Sequence, residues 1–427
     1  MCILADHGLT VISRSSAMQY RKSKKPLRQI ARELGVQGAV EGTVRRAGDQ
    51  VRISAQLVDA RSERPLWGRS YQRDLADVLS MQSDVALTIV GQIRLSLTPD
   101  VKARLTTPRK INPEAHEAYL RGRSNVSQYT RESFTRALEY FQRAIEIDPT
   151  YAEAYAGLSN TYYSLSSAWL PAAEAMPRAR AAAAKALELD PQLASAHASL
   201  ATVEAFYDWQ WGDAEREFSR AIELNPSEPT AHQNYGNLLV IHRRFEEAER
   251  ELQRAHEIDP LSPFISFYGL FPANLGRNYA RAIAQGRKVA AEYPTFSFPH
   301  LILGQAYFFS GDRGRAMEEV DRAYELESNP CFLAWKAYML AASGDRRPAR
   351  QLLGRLQAMT ETTYVQPYFF AIVHAGLGEK DLAFRWLDKA AEERAEELHF
   401  LQVDPALDSL RDDPRFARLL RQVGFAP

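Results

Sequence analysis

Three histidines share one setting. His197, His232 and His300 each stand six residues after a proline, namely Pro191, Pro226 and Pro294. Imidazole is the side chain best suited to ligate zinc or to carry a proton near neutral pH. The regular spacing argues against both uses. Equal positions in successive helical units sit on different helices, which pack about 8–10 Å apart, whereas a zinc ion needs each nitrogen at about 2 Å. The three are therefore read as ring positions packed inside helical hairpins. Glutamates such as Glu246, Glu247, Glu249 and Glu251 are assigned to a solvated helix face. The chain has no glycine-rich phosphate loop with a lysine, no G-x-S-x-G elbow and no H-E-x-x-H pair. Its two cysteines, Cys2 and Cys331, lie at opposite ends. No catalytic residue, cofactor-binding residue, cofactor or metal ligand is expected.

Two further groups could bind rather than react. Arg21, Lys22, Ser23, Lys24 and Lys25 form a basic run, and residues 1–70 hold 13 Lys and Arg against 6 Asp and Glu. An anionic partner such as nucleic acid is one reading. The run has no interleaved aromatic residues to stack bases, so a solvated loop is the reading preferred and no direct nucleic-acid binding is expected. The net charge of zero over 427 residues agrees with that. Trp169, Trp209 and Trp211 sit in lengthened turns. Exposed, they would be binding anchors, but the preferred reading makes them plugs that seal a hairpin against its neighbour.

The elements that must position these residues recur. ALEYFQRAIEIDP from Ala137, ARAAAAKALELDP from Ala179, AEREFSRAIELNP from Ala214 and AERELQRAHEIDP from Ala248 are variants of one segment. Ala214, Phe218 and Ala221 at i, i+4 and i+7 put two small side chains and one large one on a single helical face. Proline cannot continue a helix and pushes the residue before it out of the α region, so IDP, LDP and LNP close one unit and open the next. Pro149, Pro191, Pro226, Pro260 and Pro294 are separated by 42, 35, 34 and 34 residues. First helices show Tyr155, Leu158, Ser159 and Tyr162, then His232, Tyr235, Gly236 and Leu239, then His300, Leu303, Gly304 and Tyr307. Gly311-Asp312, Gly344-Asp345 and Gly378-Glu379 supply turns. A 34-residue helix–turn–helix period with this pattern resembles the tetratricopeptide (TPR) repeat, and about eight units are counted over residues 113–395. Residues 396–427, with DPALDSLRDDPRFARLL, are read as a segment capping the open end of the stack.

The first hundred residues read differently. LTVIS (residues 9–13) is predicted as a strand and PLRQIAREL (26–34) as a helix stopped by Gly35. Two strands flank Ala47-Gly48-Asp49, the second with Val51, Ile53, Ala55 and Leu57 on one face. A strand near residues 66–71 and a helix over 74–97, carrying Leu75, Val78, Leu79, Val85 and Ile89, follow. GLTVISRSSAMQY, PLRQIARELGVQGAVEGTVRRAGDQVRISAQLVDA and LWGRSYQRDLADVLSMQSDVA resemble the TolB-like amino-terminal domain over residues 8–97. That domain stands in bacterial regulators beside winged-helix or nucleotide-cyclase modules, often before TPR repeats. The usual opening strand and helix are replaced by MCILADH, so the domain reads as truncated. The missing strand leaves a sheet edge uncovered, to be filled by self-association or another partner, or else the start lies inside a longer protein, which is favoured.

The expected organisation is thus mainly α: a TPR α-solenoid after a small N-terminal α/β domain, with residues 1–97 truncated TolB-like, 98–112 linker, 113–395 repeats and 396–427 cap. Stacked hairpins curve so that first helices line a concave face suited to a protein or peptide ligand. The TPR resemblance places the groove at Asn160, Tyr163, Gln233, Asn237, Gln305 and Phe308. Amides there can pair with an extended backbone and the aromatic rings give apolar contact. The function expected is a non-catalytic interaction scaffold in bacterial signalling or regulation. The alternative is the sensory part of a longer transcription regulator or adenylate/guanylate cyclase whose output module lies upstream. No apolar run long enough for a signal peptide or a membrane span is present, so the cytoplasm is expected. If the true start lies upstream, a periplasmic part of a membrane-anchored regulator is the alternative.

Overall fold

A computed structural model describes residues 11–21, 23–47, 50–74, 84, 85, 88, 112–126, 128, 130–167 and 169–425. From Pro113 the chain forms eight helical hairpins among the described residues. They pair Pro113–Val126 with Arg131–Ile147, Ala152–Ser166 with Ala172–Leu189, Ala194–Val203 with Trp211–Leu224, and Pro229–Ile241 with Phe245–Ile258. Pro263–Tyr268 and Phe271–Leu275, a first helix interrupted at Gly269 and Leu270, pair with Tyr279–Glu292. Phe298–Phe309 with Arg313–Leu326, Pro330–Ala342 with Arg346–Met359, and Pro367–Gly376 with Lys380–Glu392 complete the stack.

The small residues of the repeat lie where helices cross. Ala214, Phe218 and Ala221 are fully buried, as are Ala248, Ala255, Ala316, Val320 and Ala323. A Cβ on Gly304 would stand 2.4 Å from Val320 Cγ2, and one on Gly236 2.7 Å from Leu252 Cγ. Gly311, at φ +93°, and Gly344, at φ +92°, turn the sixth and seventh hairpins in the left-handed region. The ends of second helices follow the expected rule, with Asp148, Asp190 and Asn225 leaving helical geometry just before proline.

The histidines hold their hairpins by a different force from the ring packing expected. His197 Nδ1 lies 2.5 Å from Glu217, His232 Nδ1 2.6 Å from Glu251, and His300 Nδ1 2.6 Å from Glu319. Each glutamate belongs to the second helix of the same hairpin, so Glu251 is a tie across the hairpin rather than a solvated side chain. A glutamate 19 or 20 residues after each histidine was a signal present in the sequence.

In the amino-terminal unit, helices α1 (Arg14–Met18) and α2 (Leu27–Leu34) precede strands β1 (Gly38–Ala47), β2 (Gln50–Asp59) and β3 (Pro65–Asp74). The strands form an antiparallel sheet in the order β1-β2-β3, with pairs Val44↔Ile53 and Ile53↔Tyr71. α2 starts after Pro26 and stops at Gly35 in the left-handed region, as predicted. The strand predicted at 9–13 is not found at residues 11–13, which are irregular and lead into α1. There Ser13 N–H donates to Ile258 O of the repeat array at 2.7 Å instead of to a sheet neighbour. Nearly all of the helix expected at 74–97 lies outside the described residues, and Asp74 ends β3. The exposed large apolar side chains among the described residues, Met18, Val40, Val44 and Leu66, all belong to this unit.

Two destabilising substitutions test this packing. Gly304→Leu should cost about 1–3 kcal/mol by overpacking against Val320. His232→Ala should cost about 1–3 kcal/mol by leaving Glu251 without its partner. Chemical denaturation of each variant measures the loss, and wild-type midpoints would contradict the assigned register.

Candidate partner-binding channel

The stacked first helices, the amino-terminal unit and the carboxyl-terminal segment together line a channel of about 3310 Å³. Of the groove positions expected, Asn160, Tyr163, Gln233, Asn237 and Gln305 line it. Phe308 does not: its ring packs edge-on against Phe309 at 5.3 Å and Tyr338 at 5.8 Å. The helical period brings the five lining residues to one side of their helices, but several of their polar atoms are already engaged. Tyr163 donates its hydroxyl to Glu396 at 3.1 Å. Gln305 accepts from Asn274 Nδ2 at 2.8 Å. Asn237 is 3% exposed and its Oδ1 has no donor, and Asn274 Oδ1 and Glu396 Oε2 are likewise without one.

The carboxyl end of the chain builds the channel's inner wall, which the sequence reading treated only as a cap. Two 3-10 turns, Glu396–Gln402 and Pro405–Leu410, fold back across the stack before the last helix, Pro414–Gln422. His399 lies tilted against Phe206 at 5.1 Å, and Phe400 meets Phe271 at 5.5 Å. The lengthened third hairpin receives this return. A π-turn, Glu204–Asp208, leads to Trp209 in the left-handed region. Trp211 stacks on Phe425 at 5.0 Å and donates its indole N–H to Val423 O at 3.0 Å. Arg394 lies over the rings of Tyr207 and Trp209 and donates to Tyr207 O at 2.6 Å. The aromatic residues of this turn therefore join parts of the chain about two hundred positions apart. Trp169 packs on Phe134 of the preceding hairpin at 5.8 Å.

Carboxyls dominate this wall. Among the described residues, the array contributes ten acidic side chains to the channel lining, against Arg123 and Arg131. Burial pushes Glu396 up to about 7. Burial and then the neighbouring Glu396 push Glu397 up to about 8. Asp404, buried beneath the Tyr368 hydroxyl at 2.6 Å, rises to about 6, again through burial. His399, buried and with neither ring nitrogen hydrogen-bonded, falls to about 3. Among the described residues no group of three or more His, Cys, Asp or Glu side chains is placed to hold a metal ion. No helix among them is long and apolar enough to cross a membrane. The channel wall presents carboxyl groups and amide hydrogen-bond acceptors.

These shifts set a pH dependence. Folded, Glu396 and Glu397 hold protons that an unfolded glutamate releases near 4.3, so stability falls as pH rises from about 4.3 to about 8. His399 acts in the opposite sense, and its contribution is lost as pH falls from about 6.5 toward 3. Glu397→Gln should melt near the wild-type temperature at about pH 4.5 and above it at about pH 8.5. An equal offset at both pH values, measured by calorimetry, would rule out this assignment.

No protein-family profile matches the chain. A Rhizobium meliloti (strain 1021) protein named "Putative adenylate cyclase 3" is 38% identical over 152 residues, which are 36% of this chain and 26% of that protein. This chain thus matches about a quarter of that relative's length. Among solved structures, a human IFIT1 dimer with m7Gppp-AAAA is similar at a TM-score of 0.51 and 14% identity, over 80% of this chain and 77% of that one. A tetratricopeptide repeat protein from Parabacteroides merdae is similar at a TM-score of 0.44 and 15% identity, over 63% of this chain and all of that one. The architecture is a TPR-like α-solenoid with a small amino-terminal α/β unit.

Proposed function

We propose that this chain is a non-catalytic scaffold that docks a segment of another protein in the concave channel of its repeat array. The observation that carries the reading is the channel itself. It is built by the first helices of successive hairpins, and acceptors such as Asn237 Oδ1 and Asn274 Oδ1 in its wall have no donor. Buried acceptors without donors are costly, and a ligand supplying N–H or O–H groups relieves that cost. On this reading Asn160, Tyr163, Gln233, Asn237 and Gln305 contact the ligand, and Phe308 shapes the wall from behind. The amino-terminal unit is TolB-like, and the setting is bacterial regulation.

A second reading makes the chain the regulatory part of a longer adenylate or guanylate cyclase or transcription regulator. The match to part of a protein named as an adenylate cyclase supports it. The two readings share the docking channel and differ in whether an output module is attached. Affinity capture with the full chain from its native cells, followed by mass spectrometry, tests the channel. Asn237→Ala combined with Gln305→Ala should lose the captured partner, whereas Arg220→Ala on an exposed helix face should retain it. Capture unaffected by the channel variant would exclude the concave docking site.

A further inference from the structure

One segment already sits in the channel. Val11, Ser13, Arg14, Met18 and Tyr20 of the amino-terminal unit line it together with the array. It meets Asp259, a lining residue 7% exposed at the end of the fourth hairpin. Ser13 Oγ donates to Asp259 Oδ1 at 2.6 Å, Ser15 Oγ to Oδ2 at 2.6 Å, and Ser16 Oγ to Oδ1 at 2.5 Å. Ser13 N–H reaches Ile258 O at 2.7 Å, and Gln19 Nε2 donates to Leu261 O at 3.2 Å.

Comparison along the repeat shows that Asp259 is set apart. The matching residues use their side chains for their own turns. Asp148 Oδ1 accepts from Thr150 N–H at 3.0 Å, Asp190 Oδ1 from Gln192 N–H at 3.0 Å, and Asn225 Oδ1 from Ser227 N–H at 3.1 Å. At the fourth hairpin the corresponding donor, Leu261 N–H, goes to Ser16 Oγ at 3.0 Å. The serine hydroxyl has taken the carboxylate's place in the turn, and the carboxylate has turned to the serines. Withdrawal of the segment lets Leu261 N–H return to Asp259, so the turn is satisfied in either arrangement. A contact whose removal leaves no orphan donor in the turn suits exchange.

Charge points the same way. Residues 11–25, VISRSSAMQYRKSKK, carry five basic residues and no acidic one. Of these, Arg14 and Arg21 line the channel, whose array lining holds ten acidic side chains, Glu257, Asp259 and Glu292 among them, against Arg123 and Arg131. Opposite potentials across a concave surface favour a cationic ligand.

We propose that the channel is a receptor for a basic, serine-bearing segment of a partner protein, and that residues 11–21 occupy it in cis as the chain's own stand-in. The proposal rests on the scaffold reading and names the chemistry of its partner. The partner's hydroxyls take the place of Ser13, Ser15 and Ser16 on Asp259, and its basic side chains take the place of Arg14 and Arg21 in the carboxyl-rich lining.

Fluorescence anisotropy with the labelled synthetic peptide VISRSSAMQYRKSKK and the full chain tests it. Ser16→Asp sets a carboxylate against Asp259 and should expel the cis segment. The Ser13→Ala, Ser15→Ala, Ser16→Ala triple variant releases it without repulsion. Both released chains should bind the peptide at least about tenfold more tightly than the wild type. Adding Asp259→Asn to the triple variant should remove that gain, with circular dichroism unchanged. A peptide with glutamate in place of each lysine and arginine should not bind. Equal binding by wild-type and released chains, or indifference to Asp259→Asn, would overturn the proposal. So would dimerisation of the released chains without peptide uptake, seen by light scattering, because the occupant would then be a second copy. If the peptide fails but the channel variant of the capture experiment still loses its partner, the chemistry assigned to the occupant is wrong and the scaffold reading stands. Failure of both would remove the scaffold reading as well.

Discussion

Close crossing of the two helices in each hairpin is the constraint on which this structure depends. The approach leaves no room for a side chain at Gly304 opposite Val320 or at Gly236 opposite Leu252. A hairpin so made is thin, and it buries one face within itself while the other must be covered by the next hairpin. The alanines of the second helices carry that repetition, because a Cβ alone keeps neighbouring backbones near. Curvature follows from repeating a small rotation between identical contacts. The concave channel is thus a consequence of glycine and alanine placement many residues from any ligand-facing side chain.

Polar chemistry is layered onto that frame in two ways. Across three of the eight hairpins, histidine–glutamate pairs such as His232 with Glu251 use part-buried hydrogen bonds to join helices that apolar contacts already hold. In the channel, by contrast, acidic side chains outnumber basic ones. Glu396, Glu397 and Asp404 keep raised proton affinities because the return of the chain across the stack has taken them out of water. Clustered carboxyls in a dry wall cost stability, and their arrangement is one a donor-rich, cationic ligand would relieve.

Much of the array was legible because its signals are local. Helix periodicity, prolines after second helices and small residues at i, i+4 and i+7 are all read within one turn or one unit. The amino-terminal unit was legible in part. The strands flanking positions 48 and 49 and the helix ending at Gly35 stand where expected, whereas Val11 and Ile12, apolar and β-branched, form no strand at residues 11–13. Propensity describes what a segment does with a free sheet edge beside it, and here the neighbouring backbone acceptor is Ile258 O of the array. Phe308, expected in the groove, instead packs its ring against Phe309 and Tyr338, neighbours that the repeat pattern does not specify.

By itself the sequence determined the unit, its period and its small-residue crossings. Those follow from bonding and packing within a few tens of residues. Only the tertiary structure decided how far the stack curves, where its carboxyl end returns to meet Trp211, and which segment lies against Asp259. Curvature sums small angles over eight hairpins, so a residue pair such as Ser16 and Asp259, 243 positions apart, has no periodic signature. The serines and the aspartate are ordinary surface residues when read in order. They become a site because the solenoid brings them to one place.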